Sequence, residues 1–176
     1  MSISTDLSLV KFIKPTQKRL DILLKDAVNI YSNELVKSRE FHDFNKAKNA
    51  ASAEVNNLLN YCSSVHELSF YEIWYNQDNV GYIWFMEKSL RQAFLAYIYI
   101  DQAHRRKAYA QKALDFYENQ ALNIGAQESK LFVFKHNLQA IMLYKKAGYQ
   151  ISAEVGFYEA AQNSLASRLE MVKILI

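Results

Sequence analysis

Two stretches near the start of the chain place apolar residues at helical spacing, three or four positions apart. The first follows Pro15, which suits the opening of a helix, and carries Leu20, Leu23, Leu24, Ala27, Val28 and Tyr31. The second runs from about Phe44 to Tyr61, and its end is marked by Ser63, Ser64 and His66. Together with the short apolar run LSLVKFIKP before them, these patterns predict one strand and two helices.

Three runs rich in aromatic and β-branched residues follow: ELSFYEIWY, VGYIWFMEK and QAFLAYIYI. Such residues suit a pleated, half-buried surface. The segment NQDNVG between the first two runs is a good hairpin connection, and only SLR separates the second run from the third. Residues 65–100 are therefore predicted to form an antiparallel meander.

After residue 100 the pattern alternates between strand and helix. A helix is predicted from about Lys107 to Asn123, with Gly125 in the left-handed position that ends it. The run KLFVFK is apolar on both faces, as expected of a central strand. A short helix from Leu138 to Ala147 follows, capped by Asn137 and ended by Gly148.

Two closing strands complete the pattern. Apolar residues alternate strictly from Tyr149 to Phe157, and the run SRLEMVKIL supplies the last strand. The prediction is an α+β fold with a mixed, mostly antiparallel sheet flanked by helices and a βαβα core.

The composition favours one domain across residues 1–176. Hydrophobic residues make up 51% of the chain, which is enough to bury a core, and only one proline and four glycines interrupt it. The net charge of +3 is mildly basic, and its cations are spread along the chain. Nucleic-acid binding is therefore compatible with the charge but not indicated by it.

The sequence also predicts a cytoplasmic protein without a membrane partner. Cys62 is the single cysteine, so no intramolecular disulfide can form. The N-terminal stretch lacks a charged segment followed by an apolar one, and no window reaches eighteen apolar residues.

A basic cluster lies where the third helix is predicted to begin, in the segment HRRKAYAQKAL. Arg105, Arg106 and Lys107 would face the positive end of the helix dipole, which typically costs about 0.3–1 kcal/mol for each cation. Because a strand, a short loop and a helix start bring unpaired backbone N–H groups together, this segment is a candidate anion site. The same charges also fit a solvated basic turn.

Two motifs resemble the signatures of the GNAT superfamily of acyl-CoA-dependent N-acetyltransferases. The segment from Arg105 to Ala110 resembles the Gln/Arg-x-x-Gly-x-Gly/Ala signature, and it follows a predicted strand at the expected distance. A second signature, Asn, Ala, Leu-Tyr and Gly-Phe/Tyr, is matched by Asn137, Ala140, Leu143, Tyr144, Gly148 and Tyr149. The resemblance extends from about Val80 to Phe157.

The resemblance implies an acetyl-CoA site and assigns residues to it. The pyrophosphate of coenzyme A would bind at Arg105, Arg106, Lys107, Ala108, Tyr109 and Ala110. The backbone of Ile98 and Ile100 would pair with the pantetheine arm, where the family's strand splays from its neighbour at a bulge. Asn137 and Tyr144 belong to the same implied set of cofactor-binding residues. Residues 1–64 would form a strand and helices that shape the acceptor site. Residues 65–100 would form the meander, and residues 101–176 would form the coenzyme A-binding units and the closing strands.

Tyr144 matches the family's general acid, which protonates the departing thiolate of coenzyme A. A phenol of pKa about 10 can donate a proton to a thiolate of pKa about 8.5 or above. A tyrosine packed on an amphipathic helix is the alternative, since the chain has twelve tyrosines.

The first signature departs from the family pattern at two positions, because Arg106 and Ala108 stand where glycine is common. We expect Ala108 to lie in the first helical turn with a negative φ, where its Cβ costs little. Replacing Ala108 by Gly would then destabilise the protein by about 0.5–1 kcal/mol.

The sequence does not single out a general base for the acceptor amine. Candidates by location are Glu72, Glu87, Tyr97, Tyr99 and Asp101, and each also fits a surface carboxylate or a core aromatic. The four histidines share no metal-ligand spacing, so neither a metal nor a covalent intermediate is inferred. Aromatic residues of the meander suit either a cationic acceptor or the sheet core.

The resulting hypothesis is an N-acetyltransferase that moves an acetyl group from acetyl-CoA to an amine by direct attack in a ternary complex. The acceptor is an unidentified small molecule or protein. Two alternatives remain open: a catalytically silent acyl-CoA-binding regulatory module, and a basic nucleic-acid-binding domain. The apolar faces of the predicted sheet are also compatible with a homodimer.

Overall fold

The computed structural model describes residues 6–65, 69–89, 91–156 and 167–175, without the side chains of residues 62–65. These residues form seven strands and four α-helices. In chain order they are β1 (Val10–Ile13), α1 (Gln17–Lys37), α2 (Phe44–Val65), β2 (Ser69–Tyr75), β3 (Asp78–Ser89), β4 (Gln92–Ile100), α3 (Tyr109–Asn123), β5 (Glu128–Phe134), α4 (Leu138–Lys146), β6 (Gln150–Val155) and β7 (Arg168–Ile174).

The chain divides into two compact units. The first comprises Met1–Pro15, Leu68–Ser129 and Ile174–Ile176. The second comprises Thr16–Glu67 and Lys130–Lys173.

The first unit contains the predicted antiparallel meander. Strands β1, β2, β3 and β4 are neighbours in that order, and each pair is antiparallel. The connection between β2 and β3 is tighter than the sequence indicated, because only Asn76 and Gln77 separate the strands. Asn76 has a φ of 54°, which asparagine tolerates better than most residues in a hairpin turn.

Helix α3 packs against β3 and β4, and its aromatic side chains also contact β1 and β2. Phe116 of α3 stacks on Phe12 of β1 with ring centroids 4.0 Å apart, and it meets Tyr71 of β2 edge-on at 5.1 Å. Tyr117 is fully buried, and its hydroxyl lies 2.7 Å from the Ser129 Oγ. Trp84 of β3 is also fully buried. The most deeply buried aromatics of the meander therefore belong to the core, which was one of the two expected roles.

In the second unit, α1 packs against α2, and β7 lies between β5 and β6. Strands β6 and β7 are antiparallel. Ala27, Ala47 and Ala51 on the two helices are all fully buried, and such small side chains allow helices to approach closely. Asn137 caps α4 as predicted, because its side-chain oxygen accepts a hydrogen bond from the Ala140 N–H at 3.2 Å.

Several element boundaries differ from the sequence predictions. Residues Leu7–Leu9 form a 3-10 turn, capped by Asp6, and not the start of a strand. Thr16 caps α1, so Pro15 precedes the helix and does not open it. Helix α2 continues to Val65, past the serines expected to end it. His66 and Phe157 lie outside the described residues.

The predicted fold class is confirmed: the structure is α+β, with four helices and a mostly antiparallel set of seven strands. The two glycine helix ends are also confirmed, since Gly125 and Gly148 have φ values of 84° and 97°. Among the described residues, no helix has both the length and the apolar character needed to cross a membrane.

Candidate functional site

The last residues of β4 direct alternate backbone groups away from β3. The Asp101 N–H donates to the Val80 carbonyl at 3.0 Å, and Gly81 is paired with Ile100 and Ile83 with Ile98. Hydrogen-bonded and non-hydrogen-bonded pairs alternate in an antiparallel ladder. The backbone groups of Ile98 and Ile100 consequently point away from β3, which is the orientation that a contact with pantetheine requires.

A bulge interrupts β4 just before these residues. Trp84 pairs with Tyr97, whereas the next residue, Phe85, pairs with Leu95, so Ala96 is the extra residue. The resemblance implied a bulge in this strand, and the structure has one. Bulges are frequent beside active sites because they redirect the strand and its side chains.

Gly81 allows β3 and β4 to approach closely at the end of this ladder. A Cβ at position 81 would lie 2.0 Å from the backbone oxygen of Tyr99. No real Cβ tolerates such a contact with backbone, so any larger residue would push β4 aside. Gly81 therefore determines where Ile100 and the following loop are placed.

The loop after β4 is anchored by one of the three predicted cations. Gln102–His104 form a 3-10 turn, and the Nε of Arg105 then donates to the Ile100 carbonyl at 3.0 Å. Arg105, Arg106 and Lys107 are all exposed. Because α3 begins at Tyr109 and not at Lys107, these cations precede the helix and do not occupy its first turn.

The expectation of a negative φ at Ala108 is wrong. Ala108 has φ 62° and ψ 11°, in the left-handed region, and Arg106 has a φ of 65°. For a residue with a Cβ, this conformation costs roughly 1–2 kcal/mol. Glycine is common in the family at these two positions, and both have the left-handed backbone conformation that favours glycine. This chain keeps that conformation with Arg106 and Ala108 in place of glycine.

The strained loop leaves the start of α3 suited to an anion. Ala108 is the N-cap residue, and it has no side-chain oxygen with which to cap the first N–H groups of the helix. Left-handed residues in a tight loop turn successive N–H groups toward one point, which forms an anion-binding concavity. Backbone strain of this kind is often concentrated at functional sites. Arg106 and Lys107 add positive charge beside the same groups.

The structure defines the surroundings of two of the candidate bases, Tyr99 and Glu72. Burial, followed by the negative charge of Asp101, raises the pKa of Tyr99 above its ordinary value. Its phenol is therefore protonated at neutral pH. Glu72 is only 5% exposed and accepts a hydrogen bond from the Asn79 amide at 3.1 Å.

Tyr144 lies on α4 and is buried. Its ring meets the ring of Tyr149 edge-on, with centroids 5.8 Å apart. Burial raises the pKa of Tyr144 to about 12. The phenol consequently keeps its proton throughout the physiological range, as a proton donor must.

The residues assigned by resemblance fall into the two units. Ile98, Ile100 and the segment from Arg105 to Ala110 belong to the first unit, at the end of β4 and the start of α3. Asn137 and Tyr144 belong to the second, at the N-cap and in the body of α4.

The structure also brings together side chains that the sequence analysis did not connect. His136 contacts Glu34 across 102 residues of sequence, and Arg168 contacts Glu40 across 128 residues. No local spacing signals pairs so distant, so periodicity and motif analysis could not have found them. In the described part of the chain, no three His, Cys, Asp or Glu side chains are grouped so that they could hold a metal ion.

Comparison with known proteins identifies the class. The chain matches the acetyltransferase (GNAT) family over residues 29–149, more than half of its length. It therefore belongs to the GNAT family, the class of acyl-CoA-dependent N-acetyltransferases, as the resemblance predicted.

Individual relatives agree with that class. The chain is 35% identical to the N-acetyltransferase YdgE of Bacillus subtilis over 78 residues, which cover 43% of this chain and 50% of YdgE. It thus spans about half the length of the curated relatives it matches. The crystal structure of YycN, a putative acetyltransferase of Bacillus subtilis, shares the fold with a TM-score of 0.74 and 22% identity, covering 87% of this chain and 99% of YycN.

A solved structure with bound coenzyme A also shares the fold. This is the PaiA N-acetyltransferase from Thermoplasma acidophilum, with a TM-score of 0.68 and 17% identity. The match covers 94% of this chain and 98% of PaiA.

Proposed function

We propose that the protein transfers an acetyl group from acetyl-CoA to an amine by direct attack in a ternary complex. The observation that carries this proposal is the loop from Arg105 to Ala108. There, two strained left-handed residues, a helix start without a side-chain cap and the exposed cations Arg106 and Lys107 combine to suit a pyrophosphate. Membership of the GNAT family and a coenzyme A-bound neighbour of the same fold support it.

In the proposed complex, the pyrophosphate binds between Arg106 and the first N–H groups of α3. Arg105 holds the loop closed on the Ile100 carbonyl. The pantetheine arm pairs with the outward-facing backbone of Ile98 and with the N–H of Ile100, whose carbonyl already accepts from Arg105. Asn137 contributes through its amide while its oxygen caps α4.

Tyr144 is the proposed general acid. The amine nitrogen bonds to the thioester carbon and loses its proton to a base or to water. The carbon–sulfur bond then breaks, the departing thiolate takes the phenolic proton, and the Tyr144 phenolate regains a proton from water. A phenol with a pKa of about 12 is a weaker acid than an ordinary tyrosine. It donates as negative charge develops on sulfur, and its raised pKa makes that transfer less favourable than it would be from an ordinary tyrosine.

The proposal is tested by following thiol release from acetyl-CoA with three kinds of amine. The panel consists of spermidine, a peptide with a free N-terminal alanine, and an N-terminally blocked peptide containing lysine. We expect turnover with at least one of them and a mass increase of one acetyl group on that amine. Tight acetyl-CoA binding with no turnover on any of them would overturn the proposed activity.

That second result would favour the alternative, a silent acyl-CoA-binding module. The observation in its favour is that Arg106 and Ala108 replace the glycines of the family signature. Binding itself is checked by thermal shift. Acetyl-CoA should raise Tm, and acetylated pantetheine without the nucleotide should raise it much less, because phosphate contacts provide the difference.

A cytoplasmic location is also proposed, because a single cysteine fits a reducing compartment. A homodimer is also proposed, and sedimentation analysis would test it.

A further inference from the structure

A histidine and a glutamate from distant parts of the second unit form a hydrogen-bonded pair. The Nε2 of His136, just after β5, lies 2.6 Å from an Oε2 of Glu34 on α1. The His136 ring also stacks on the ring of Phe134, with centroids 5.3 Å apart and planes 22° apart. About one third of the His136 side chain (33%) is exposed, so the ring is held on two sides and open on another.

The neighbouring charges keep Glu34 ionised. Burial alone would raise the pKa of Glu34, but hydrogen bonds from Lys37 and His136, together with their charges, lower it below its ordinary value. Lys37 occupies the other oxygen of Glu34 at 2.7 Å. Lys135, adjacent in sequence, pairs with Glu154.

One further cation faces the stacked ring from β7. The Arg168 guanidinium lies 4.6 Å from the centroid of Phe134 and is paired with Glu40. Phe134 therefore contacts both His136 and Arg168. Among the charged contacts described here, Glu34 is the one that meets the imidazole directly.

This arrangement defines the protonation of the imidazole. An ionised carboxylate can only accept a hydrogen bond, so the nitrogen facing Glu34 carries the hydrogen. In the neutral ring the other nitrogen, Nδ1, then presents a lone pair. A histidine oriented by a carboxylate in this way presents a basic nitrogen that can accept a proton.

His136 also occupies a position relevant to the proposed reaction. It lies one residue before Asn137, the N-cap of α4, which is the helix that carries Tyr144. His136 is therefore close in sequence to the N-cap of the helix that carries the proposed general acid.

From this geometry we propose that His136 is the general base of the transfer and that Glu34 is its positioning residue. The inference rests on the proposed function. The acceptor amine gives a proton to Nδ1 as its nitrogen bonds to the thioester carbon. The carbon–sulfur bond breaks and the thiolate takes the proton of Tyr144. His136 later releases its proton to water, and the Tyr144 phenolate regains a proton from water.

The test compares three variants of the full chain, each assayed with the panel amine that the wild type acetylates. His136→Gln removes the base, Glu34→Gln removes the positioning carboxylate, and His42→Gln is a matched control at an exposed site. We expect His136→Gln to lower kcat/KM by about 10²–10⁴-fold. The acidic limb of the pH profile should disappear, and the Kd for acetyl-CoA should be unchanged.

Glu34→Gln keeps the imidazole but removes the carboxylate that orients it. Its loss of kcat should be smaller, and His42→Gln should match the wild type. Added imidazole should restore part of the turnover of His136→Ala. A merely structural pair would lower Tm without altering the pH limb or responding to imidazole.

The outcomes separate the two proposals. A wild type that acetylates none of the amines overturns the proposed activity and the base together. If the wild type is active and His136→Gln keeps its turnover and the acidic limb of its pH profile, only the base assignment is overturned.

Discussion

Arg168 and Glu40 form a two-point ion pair in the interior of the second unit. The Nε and one Nη of Arg168 each lie 3.1 Å from a different oxygen of Glu40. The two side chains are only 4% and 7% exposed. The guanidinium also lies over the rings of Tyr31 and Phe134, at 5.2 and 4.6 Å from their centroids. This pair joins the start of β7 to the connection between α1 and α2.

Removing only the cation should be strongly destabilising. Arg168→Met leaves the Glu40 carboxylate buried without its partner, and we expect a loss of about 3–5 kcal/mol in the free energy of unfolding. Urea denaturation measures it. Replacing both residues, Arg168→Met with Glu40→Gln, should recover a large part of the loss. If the free energy of unfolding of Arg168→Met alone is within about 1 kcal/mol of the wild type, the Glu40 carboxylate is hydrated in the variant.

Ala108→Gly should stabilise the protein, contrary to the expectation from helix propensity. Relief of the left-handed strain contributes roughly 1–2 kcal/mol, and the greater freedom of glycine in the unfolded chain offsets about 0.4–1 kcal/mol of it. The net gain should be about 0.5–1 kcal/mol, with acetyl-CoA binding retained. Ala110→Gly, within α3, is the control and should destabilise by about 0.5–1 kcal/mol. If both variants change the free energy of unfolding in the same direction, Ala108 does not carry the proposed backbone strain.

Gly81→Ala should disturb the end of β4. The new Cβ would fall 2.0 Å from the Tyr99 carbonyl oxygen, so the strand must shift. We expect a loss of about 1–3 kcal/mol in stability and weaker acetyl-CoA binding by calorimetry. Gly125→Ala, whose Cβ would meet nothing within 4 Å, should lose stability through its positive φ alone and keep its affinity. If a folded Gly81→Ala variant binds acetyl-CoA with unchanged affinity, the close approach of β3 and β4 at Gly81 does not influence the binding site.

Tyr144→Phe should separate chemistry from binding. The ring remains to pack against Tyr149, and only the hydroxyl is lost. We expect kcat to fall by about 10²–10⁴-fold while the Kd for acetyl-CoA stays within a few-fold. Tyr61→Phe, an exposed tyrosine on α2, serves as the control. Turnover within a factor of about three of the wild type, less than 1 kcal/mol of barrier, would exclude Tyr144 as the acid.

The ion pairs of Glu34 should make stability depend on pH in a defined direction. Because the folded-state pKa of Glu34 is lowered below 4.5, its contribution is present above pH 4.5 and is lost as the pH falls through the folded-state value. Glu34→Gln should therefore be less stable than the wild type at pH 7, by about 0.5–1 kcal/mol for partly exposed pairs. The difference should vanish in urea titrations at acidic pH. A difference that persists there would indicate packing and not charge.

The sequence was most informative where the controlling interactions are local. The periodicity of α1, the Asn137 cap and the helix ends at Gly125 and Gly148 depend on residues within one or two turns, and all were predicted correctly. The basic segment after β4, together with the family signature, also indicated the candidate anion site at Arg105–Ala110. These features follow from side-chain spacing, capping and backbone freedom, which a chain carries in its own order of residues.

Tertiary structure decided what local order could not. Ala108 is a strong helix former, yet it adopts a left-handed conformation as the N-cap of α3, where the loop that Arg105 anchors to the end of β4 turns into the helix. The pairs Glu34 with His136 and Glu40 with Arg168 join residues more than one hundred positions apart. A charged group tolerates burial only beside its partner, and folding alone brings such distant partners together.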